Sequence, residues 1–189
     1  ADREGNLYVA QNKGIFKYNG ETGELLKKFE SRRVVGIALT SDEKIVAIAN
    51  NKNIVILDKE LNVISEIKDA HKLASSSFGF DKIAVDGDGV IYTVDRTSNE
   101  ICKFSQDGKF LDKFKTDISS PNDIAFDNHG HLYLSDTSKI YIFNADGKQI
   151  SAFDTYQAFG MSFNINDELY VASRPFVVKY KINLSQENK

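Results

Sequence analysis

The chain has 189 residues, with 24 Lys and Arg against 27 Asp and Glu and a formal net charge of −3. With 41% hydrophobic and 27% charged residues it is no disordered chain, and the acidic balance excludes one that coats nucleic acid through charge alone. A single Cys leaves no internal disulfide and no multi-cysteine metal site, and no apolar run reaches the roughly 20 residues of a membrane helix.

Thirteen Phe and eight Tyr stand beside one Met and no Trp, and no segment sustains apolar spacing at i, i+3, i+4, i+7. Short β-branched and aromatic runs instead alternate with Gly, Asp and Asn, which predicts strands and turns. The first unit reads Leu7-Tyr8-Val9-Ala10, Ile15-Phe16-Lys17-Tyr18 and Leu25-Leu26-Lys27-Lys28-Phe29. The second reads Gly36-Ile37-Ala38-Leu39, Val46-Ala47-Ile48-Ala49, Ile54-Val55-Ile56-Leu57 and Val63-Ile64-Ser65-Glu66-Ile67. Lys82 to Val85, Ile91 to Val94, Ile101 to Phe104 and Phe110 to Phe114 form the third. Asp123 to Phe126, Leu132 to Ser135, Ile140 to Phe143 and Ile150 to Phe153 form the fourth. The fifth has Gly160 to Phe163, Leu169 to Ala172 and Val177 to Tyr180, and then a polar tail. One frame places Tyr8, Ala47, Tyr92, Tyr133 and Tyr170 at the same position. Asp86-Gly87-Asp88-Gly89, Asp127-Asn128-His129-Gly130, Asp107-Gly108 and Asp146-Gly147 suit hairpins, because Gly adopts positive φ without steric cost. Four short antiparallel strands per unit of about 40 residues is the blade of a β-propeller. The expectation is one all-β domain of about five visible blades, near residues 1–31, 32–78, 79–120, 121–159 and 160–189, with three strands in the first and last.

Asp81 to Asp95, followed by Asn99 to Phe104 and Asp107-Gly108, resembles an NHL repeat. Pro121 to Asp136 resembles another. The second unit lacks the Asp-x-x-Gly turn and the Tyr, and the fifth has Ser173-Arg174 where the pattern has Asp. The resemblance implies an NHL-like propeller, usually of six blades, and so further sequence upstream of Ala1. A five-unit ring or an open arc completed by a partner chain are the alternatives, the latter making a homo-oligomer or larger assembly. Members of this family and its propeller relatives include scaffolds, RNA binders, carbohydrate-linked proteins and a few enzymes.

Two sets of residues are candidates for function. Lys13, Lys52, Arg96, Lys139 and Arg174 fall one per unit in the turn after the Tyr strand, and Arg32 and Arg33 lie in a crossover. Together they predict a cationic rim for a protein or other anionic ligand, unless they are merely solvated. Nucleic acid is disfavoured by the overall charge and the lack of an aromatic platform. The second set is Asp81, Asn122, Asp123 and Asp136, at strand ends where oxygens can face a channel and hold calcium. Pro121-Asn122 is similar to the blade start of gluconolactonase-type propellers, which implies a divalent-metal-dependent hydrolase or lyase. The competing reading is that Asp95 and Asp136 cap their own turns. The hairpin-turn face carries a large excess of acids. His129-Gly130-His131 is too few ligands for a metal site, His71 is expected at the surface, and Cys102 is expected to pack in a strand. The leading expectation is a non-catalytic binding or scaffold propeller. No leader is visible at Ala1, but a mature chain would have lost one, so the sequence leaves the compartment undecided, with a leaning to a secreted or extracytoplasmic location.

Overall fold

The computed structural model describes residues 1–95, 97–182 and 184. Among them it has eighteen strands in five antiparallel sheets, taken here as blades 1 to 5. The chain divides into two compact units, Ala1–Thr116 and Asp117–Lys189.

The first unit holds three blades. Blade 1 is β1 (Leu7–Gln11), β2 (Gly14–Tyr18) and β3 (Leu25–Glu30). Blade 2 is β4 (Val34–Leu39), β5 (Ile45–Ala49), β6 (Asn53–Leu57) and β7 (Val63–Ile67). A helical turn, α1 (Ala70–Leu73), leads to blade 3: β8 (Lys82–Val85), β9 (Ile91–Asp95), β10 (Glu100–Phe104) and β11 (Phe110–Lys115). The second unit holds blade 4, with β12 (Asp123–Phe126), β13 (Leu132–Ser135), β14 (Lys139–Phe143) and β15 (Gln149–Asp154). It also holds blade 5, with β16 (Gly160–Phe163), β17 (Glu168–Ser173) and β18 (Phe176–Lys181). Strand order follows chain order in every blade, as short hairpins dictate.

Register repeats from blade to blade. Leu7 faces Tyr18, Ile45 faces Leu57, Ile91 faces Phe104, Leu132 faces Phe143 and Leu169 faces Tyr180. One residue on, the pairs are Tyr8 with Lys17, Val46 with Ile56, Tyr92 with Lys103, Tyr133 with Ile142 and Tyr170 with Lys179. Val46, rather than Ala47, therefore occupies the tyrosine position of blade 2. The correction matters, because a slip of one residue turns every side chain to the opposite face. Ala47 and Ala49 join Ile15, Val55 and Leu57 in one core cluster, while Val46 and Ile48 join Ile54, Ile56, Ile91, Cys102 and Phe104 in another. Strand β5 is thus buried along its length, with apolar clusters on both sides. In the second unit Tyr133, Ile140 and Ile142 cluster with Leu169 and Val171, and the Tyr133 ring meets Phe163 edge-on at 4.7 Å.

The first hairpin turn of each blade is built alike. The backbone N–H of Asp2, Thr40, Asp86, Asp127 and Asn164 donates to the carbonyl four residues on. Their own carbonyls accept from Gly5, Glu43, Gly89, Gly130 and Asp167, all at positive φ. Three of those five are glycine, the residue that takes this conformation without penalty. Glu43 and Asp167 adopt it with side chains, and both use those side chains across to the preceding blade.

Candidate functional site

On the hairpin-turn side, sequence places acids where the structure uses them as caps. Asp2 Oδ1 accepts the N–H groups of Glu4 and Asn6 at 3.1 and 2.8 Å, and Asp86 Oδ1 those of Asp88 and Val90. Asp127 Oδ1 does the same for His129 and His131, and Asn164 Oδ1 for Asn166 and Glu168. Blade 2, which lacks the acidic turn, substitutes the Thr40 hydroxyl, which takes the N–H of Lys44 at 2.8 Å. The second carboxylate oxygen meets the repeated tyrosine: Tyr8 Oη donates to Asp2 at 3.0 Å and Tyr133 Oη to Asp127 at 3.2 Å. Tyr92 also makes a side-chain hydrogen bond with Asp86. Burial, reinforced by these carboxylates, pushes all three phenols well above their usual range. Burial opposes ionisation of Asp2, but hydrogen bonds from Asn6 and Tyr8 outweigh it and hold the carboxyl below its ordinary value.

Cations on this side of the first unit are also taken. Lys17 pairs with Glu60 at 2.7 Å, Lys44 with Asp42, Lys59 with Glu4 and Lys109 with Asp107, each at 2.7 Å. Turns also clasp one another. The N–H of Arg3 donates to Glu43 at 2.8 Å, and the N–H of Asn128 donates to Asp167 at 2.8 Å. These are equivalent positions in blades 1 and 2 and in blades 4 and 5. They explain why Glu43 and Asp167 stand where other blades have glycine: a charge-assisted bond offsets the left-handed backbone. His129 and His131 turn their Nδ1 atoms to Asp167 at 3.1 Å and Asp127 at 2.8 Å, with ring centroids 6.4 Å apart.

The crossover side of the first unit is different. Ser31 N–H donates to the Lys13 carbonyl, Arg33 N–H to Asn12, Asn50 N–H to Arg33 and His71 N–H to Lys52. This backbone chain brings the loops carrying Lys13, Arg32, Arg33 and Lys52 side by side. Arg33, Asn50 and Asn51 hold φ between 44° and 60°. Asn51 is then clamped to the next crossover, its carbonyl taking the Phe80 N–H at 2.7 Å and its amide donating to the Phe80 carbonyl. Gly79 is obligatory beside it, since a Cβ there would lie 1.8 Å from the Asn51 oxygen. Lys13, Arg32, Arg33 and Lys52 are exposed, and none makes an ion pair among the described residues. In the second unit Lys139 lies 3.5 Å from Asp154, and the exposed Arg174 stacks over Phe159 at 5.1 Å. Arg96 lies outside the described residues.

His71 is not at the surface. It is a buried residue of α1 itself, and its Nδ1 has no hydrogen-bond partner among the described residues, with Asp69 Oδ1 at 3.9 Å. Sequence gave no sign of this, because one helical turn in a polar crossover has no periodicity to read. Cys102 is buried in β10, and burial pushes its thiol up to about 12, so it packs and does not attack.

Three of the four groups of the calcium set, Asn122, Asp123 and Asp136, have local roles. Asn122 donates from Nδ2 to the Ala158 carbonyl at 3.0 Å, and Asp123 Oδ2 accepts the Met161 N–H at 2.6 Å, both linking blades 4 and 5. Asp136 Oδ1 accepts the N–H groups of Ser138 and Lys139, and its Oδ2 accepts the Tyr141 hydroxyl at 2.9 Å. Burial opposes its charge, but those three donors prevail and hold the Asp136 carboxyl below its ordinary value. Asp95 accepts the Thr97 N–H in the same capping manner. Asp81 lies in the other unit, just before β8, its N–H donating to the Val94 carbonyl. Among the described residues no three His, Cys, Asp or Glu side chains converge as metal ligands.

No protein-family model and no curated protein matches this sequence. Solved structures do. A streptogramin B lyase superposes with a TM-score of 0.67 at 16% identity, over 97% of this chain and 67% of the other. A Bacteroides caccae protein of unknown function gives 0.68 at 17%, over 97% and 70%. The virginiamycin B lyase of Staphylococcus aureus gives 0.67 at 14%, over 97% and 69%. The fold is a β-propeller. At such identities the likeness carries the architecture alone, since one propeller scaffold hosts many functions.

Proposed function

We propose that this is an NHL-like binding propeller that acts without catalysis and engages an acidic protein surface or other anionic ligand at its crossover loops. One contrast carries the reading. In the first unit the hairpin-side cations Lys17, Lys44, Lys59 and Lys109 are each spent on an acid, whereas Lys13, Arg32, Arg33 and Lys52 are exposed and unpaired on loops tied together through their backbones. Clustered cations that form no ion pair on a rigid support attract anions before contact and need little ordering on binding, even with the Asp69 carboxylate within Coulombic reach of Lys52. The test is retention on immobilised heparin, a polyanion probe, at rising salt. Lys13→Glu with Lys52→Glu should elute at clearly lower salt than wild type. A control, Lys27→Glu with Lys109→Glu, carries the same change in net charge elsewhere. Equal losses in the two would reduce the effect to net charge and defeat the proposal.

A lyase reading has one observation in its favour, the names of two of the structural neighbours. It would draw on Asn122 and Asp123 with calcium or another divalent ion. Binding to the native state raises the melting temperature by mass action, so calcium, magnesium and zinc titrations address it directly. A flat response to all three would count against that reading and leave the loop proposal untouched.

A further inference from the structure

The first hairpin turns of blades 4 and 5, both in the second unit, set two imidazoles against two carboxylates. His131 Nδ1 is hydrogen-bonded to Asp127 Oδ2 at 2.8 Å. His129 Nδ1 lies 3.1 Å from Oδ2 of Asp167, which belongs to the next blade. Asp127 is fixed by the two backbone N–H groups it accepts, and its side chain is 7% exposed. Asp167 is fixed by the Asn128 N–H, which its Oδ1 accepts at 2.8 Å. The two rings are 6.4 Å apart between centroids and tilted by 39°.

This arrangement decides which ring atom is left over. A carboxylate only accepts, so Nδ1 of His131 carries the proton and the lone pair of the neutral ring stays on Nε2. The Asp167 charge favours the same tautomer in His129. Neither Nε2 has a hydrogen-bond partner among the described residues. As a bare sequence, His-x-His is two ligands without orientation. The structure adds the orientation, one carboxylate coming from the same turn and the other from a neighbouring blade.

We propose that His129 and His131 bind one divalent transition-metal ion of the zinc, nickel or copper class through their two Nε2 atoms, with water completing the shell. Imidazole suits these ions. A ligating ring usually gives its other N–H to a carboxylate, which holds the tautomer and makes the ring more basic. An ion about 2.0–2.1 Å from each ring nitrogen places the two centroids roughly 5–6 Å apart, so the pair stands within about 1 Å of that spacing. The His129 side chain is 70% exposed, so it can close the difference without repacking the core. Asp127 already accepts two N–H groups, the Tyr133 hydroxyl and His131, so it supports the site and does not ligate. Calcium and magnesium, which take oxygen ligands, gain nothing from two ring nitrogens.

Calorimetric titration of the chain without an affinity tag should show one zinc, nickel or copper ion bound per chain. His129→Ala and His131→Ala should each weaken zinc binding by at least about tenfold, and the double variant should abolish it. Asp167→Asn keeps a side chain suited to positive φ and should cost about tenfold in affinity, acting through His129. Unchanged circular dichroism should show the variants folded. Copper(II) on the wild type needs no variant: being paramagnetic, it should broaden the amide signals of residues 128–132 and 167 before any others. A wild type that takes up no ion, or copper broadening that begins elsewhere, would overturn the proposal. So would zinc binding that survives in the double variant, which would move the ion to groups such as Asn122 and Asp123. Wild-type affinity in Asp167→Asn would also overturn it, because the carboxylate would then orient nothing.

Discussion

Asp127 offers the sharpest test of how the repeated turn supports a blade. Its carboxylate takes two backbone N–H groups at 2.9 and 2.8 Å, the Tyr133 hydroxyl at 3.2 Å and His131 Nδ1 at 2.8 Å. Asp127→Ala removes them all. Loss of the turn cap costs about 1 kcal/mol by analogy with helix caps. The Tyr133 hydroxyl, on a ring that is 1% exposed, is then stranded, at about 1–3 kcal/mol. The expected total is about 3 kcal/mol. Asp127→Asn should cost only about 1 kcal/mol, because an amide oxygen can still hold both N–H groups. Asn164 does this natively in blade 5. Tyr133→Phe removes one hydrogen bond and should cost about 1 kcal/mol, and the double variant Asp127→Ala with Tyr133→Phe should cost less than the sum. Urea unfolding followed by circular dichroism gives each value from the midpoint at constant slope. If Asp127→Ala and Asp127→Asn fall within about 0.5 kcal/mol of each other, the carboxylate is not supporting the tyrosine and the reasoning fails.

Two predictions concern pH. The Asp136 carboxyl is depressed in the folded chain, so its charged form contributes stability that is present above the ordinary aspartate value and is lost as pH falls through the folded one. Melting temperatures of wild type and Asp136→Asn should therefore converge as pH drops below about 4, and a constant gap down to acid unfolding would contradict this. The phenols of Tyr8, Tyr92 and Tyr133 are raised, so their contribution is complete below the unfolded value of about 10 and is lost as pH climbs past it. Ultraviolet titration should show the phenolates of Tyr8, Tyr92 and Tyr133 forming only with alkaline unfolding. A single smooth titration of all eight tyrosines in the folded chain would refute it.

Most of the architecture was legible because a propeller blade writes itself in short range. Strand runs, Asp-Gly turns and a recurring tyrosine are local signals, and they fix eighteen strands in groups of three, twelve and three. The failures are cases where a long-range partner decided. Val46 and Ala47 are both small and apolar, so only the opposing blades reveal which way each points. Thr40 is an unmarked residue until its hydroxyl is seen to replace a carboxylate. Glu43, Leu61 and Asp167 take the left-handed conformation that sequence reserves for glycine. For Glu43 and Asp167 the compensation comes from a neighbouring blade, and Leu61 is buried in the core between blades 1 and 2. The candidate basic residues were found at the right loops, but their mutual placement depended on backbone bonds such as Arg33 to Asn12, which have no sequence signature.

The distribution of charge carries a lesson about where a propeller can bind. A count of side chains makes the hairpin side the more highly charged, and by that measure the better site. Hydrogen bonding weakens that argument, because a carboxylate that already accepts two N–H groups and a phenol has three of its four lone-pair sites occupied and little field left for a ligand. Asp2, Asp86 and Asp127 are in that state, and Glu4, Asp42, Glu60 and Asp107 are neutralised by lysines. The crossover loops carry fewer charges, yet Lys13, Arg32, Arg33 and Lys52 have not been spent. Their loops are held by backbone groups rather than by those side chains, so rigidity does not compete with recognition. Replacing any of the four cations should leave stability nearly unchanged, within about 0.5 kcal/mol, while any change at Asp127 must act on the fold.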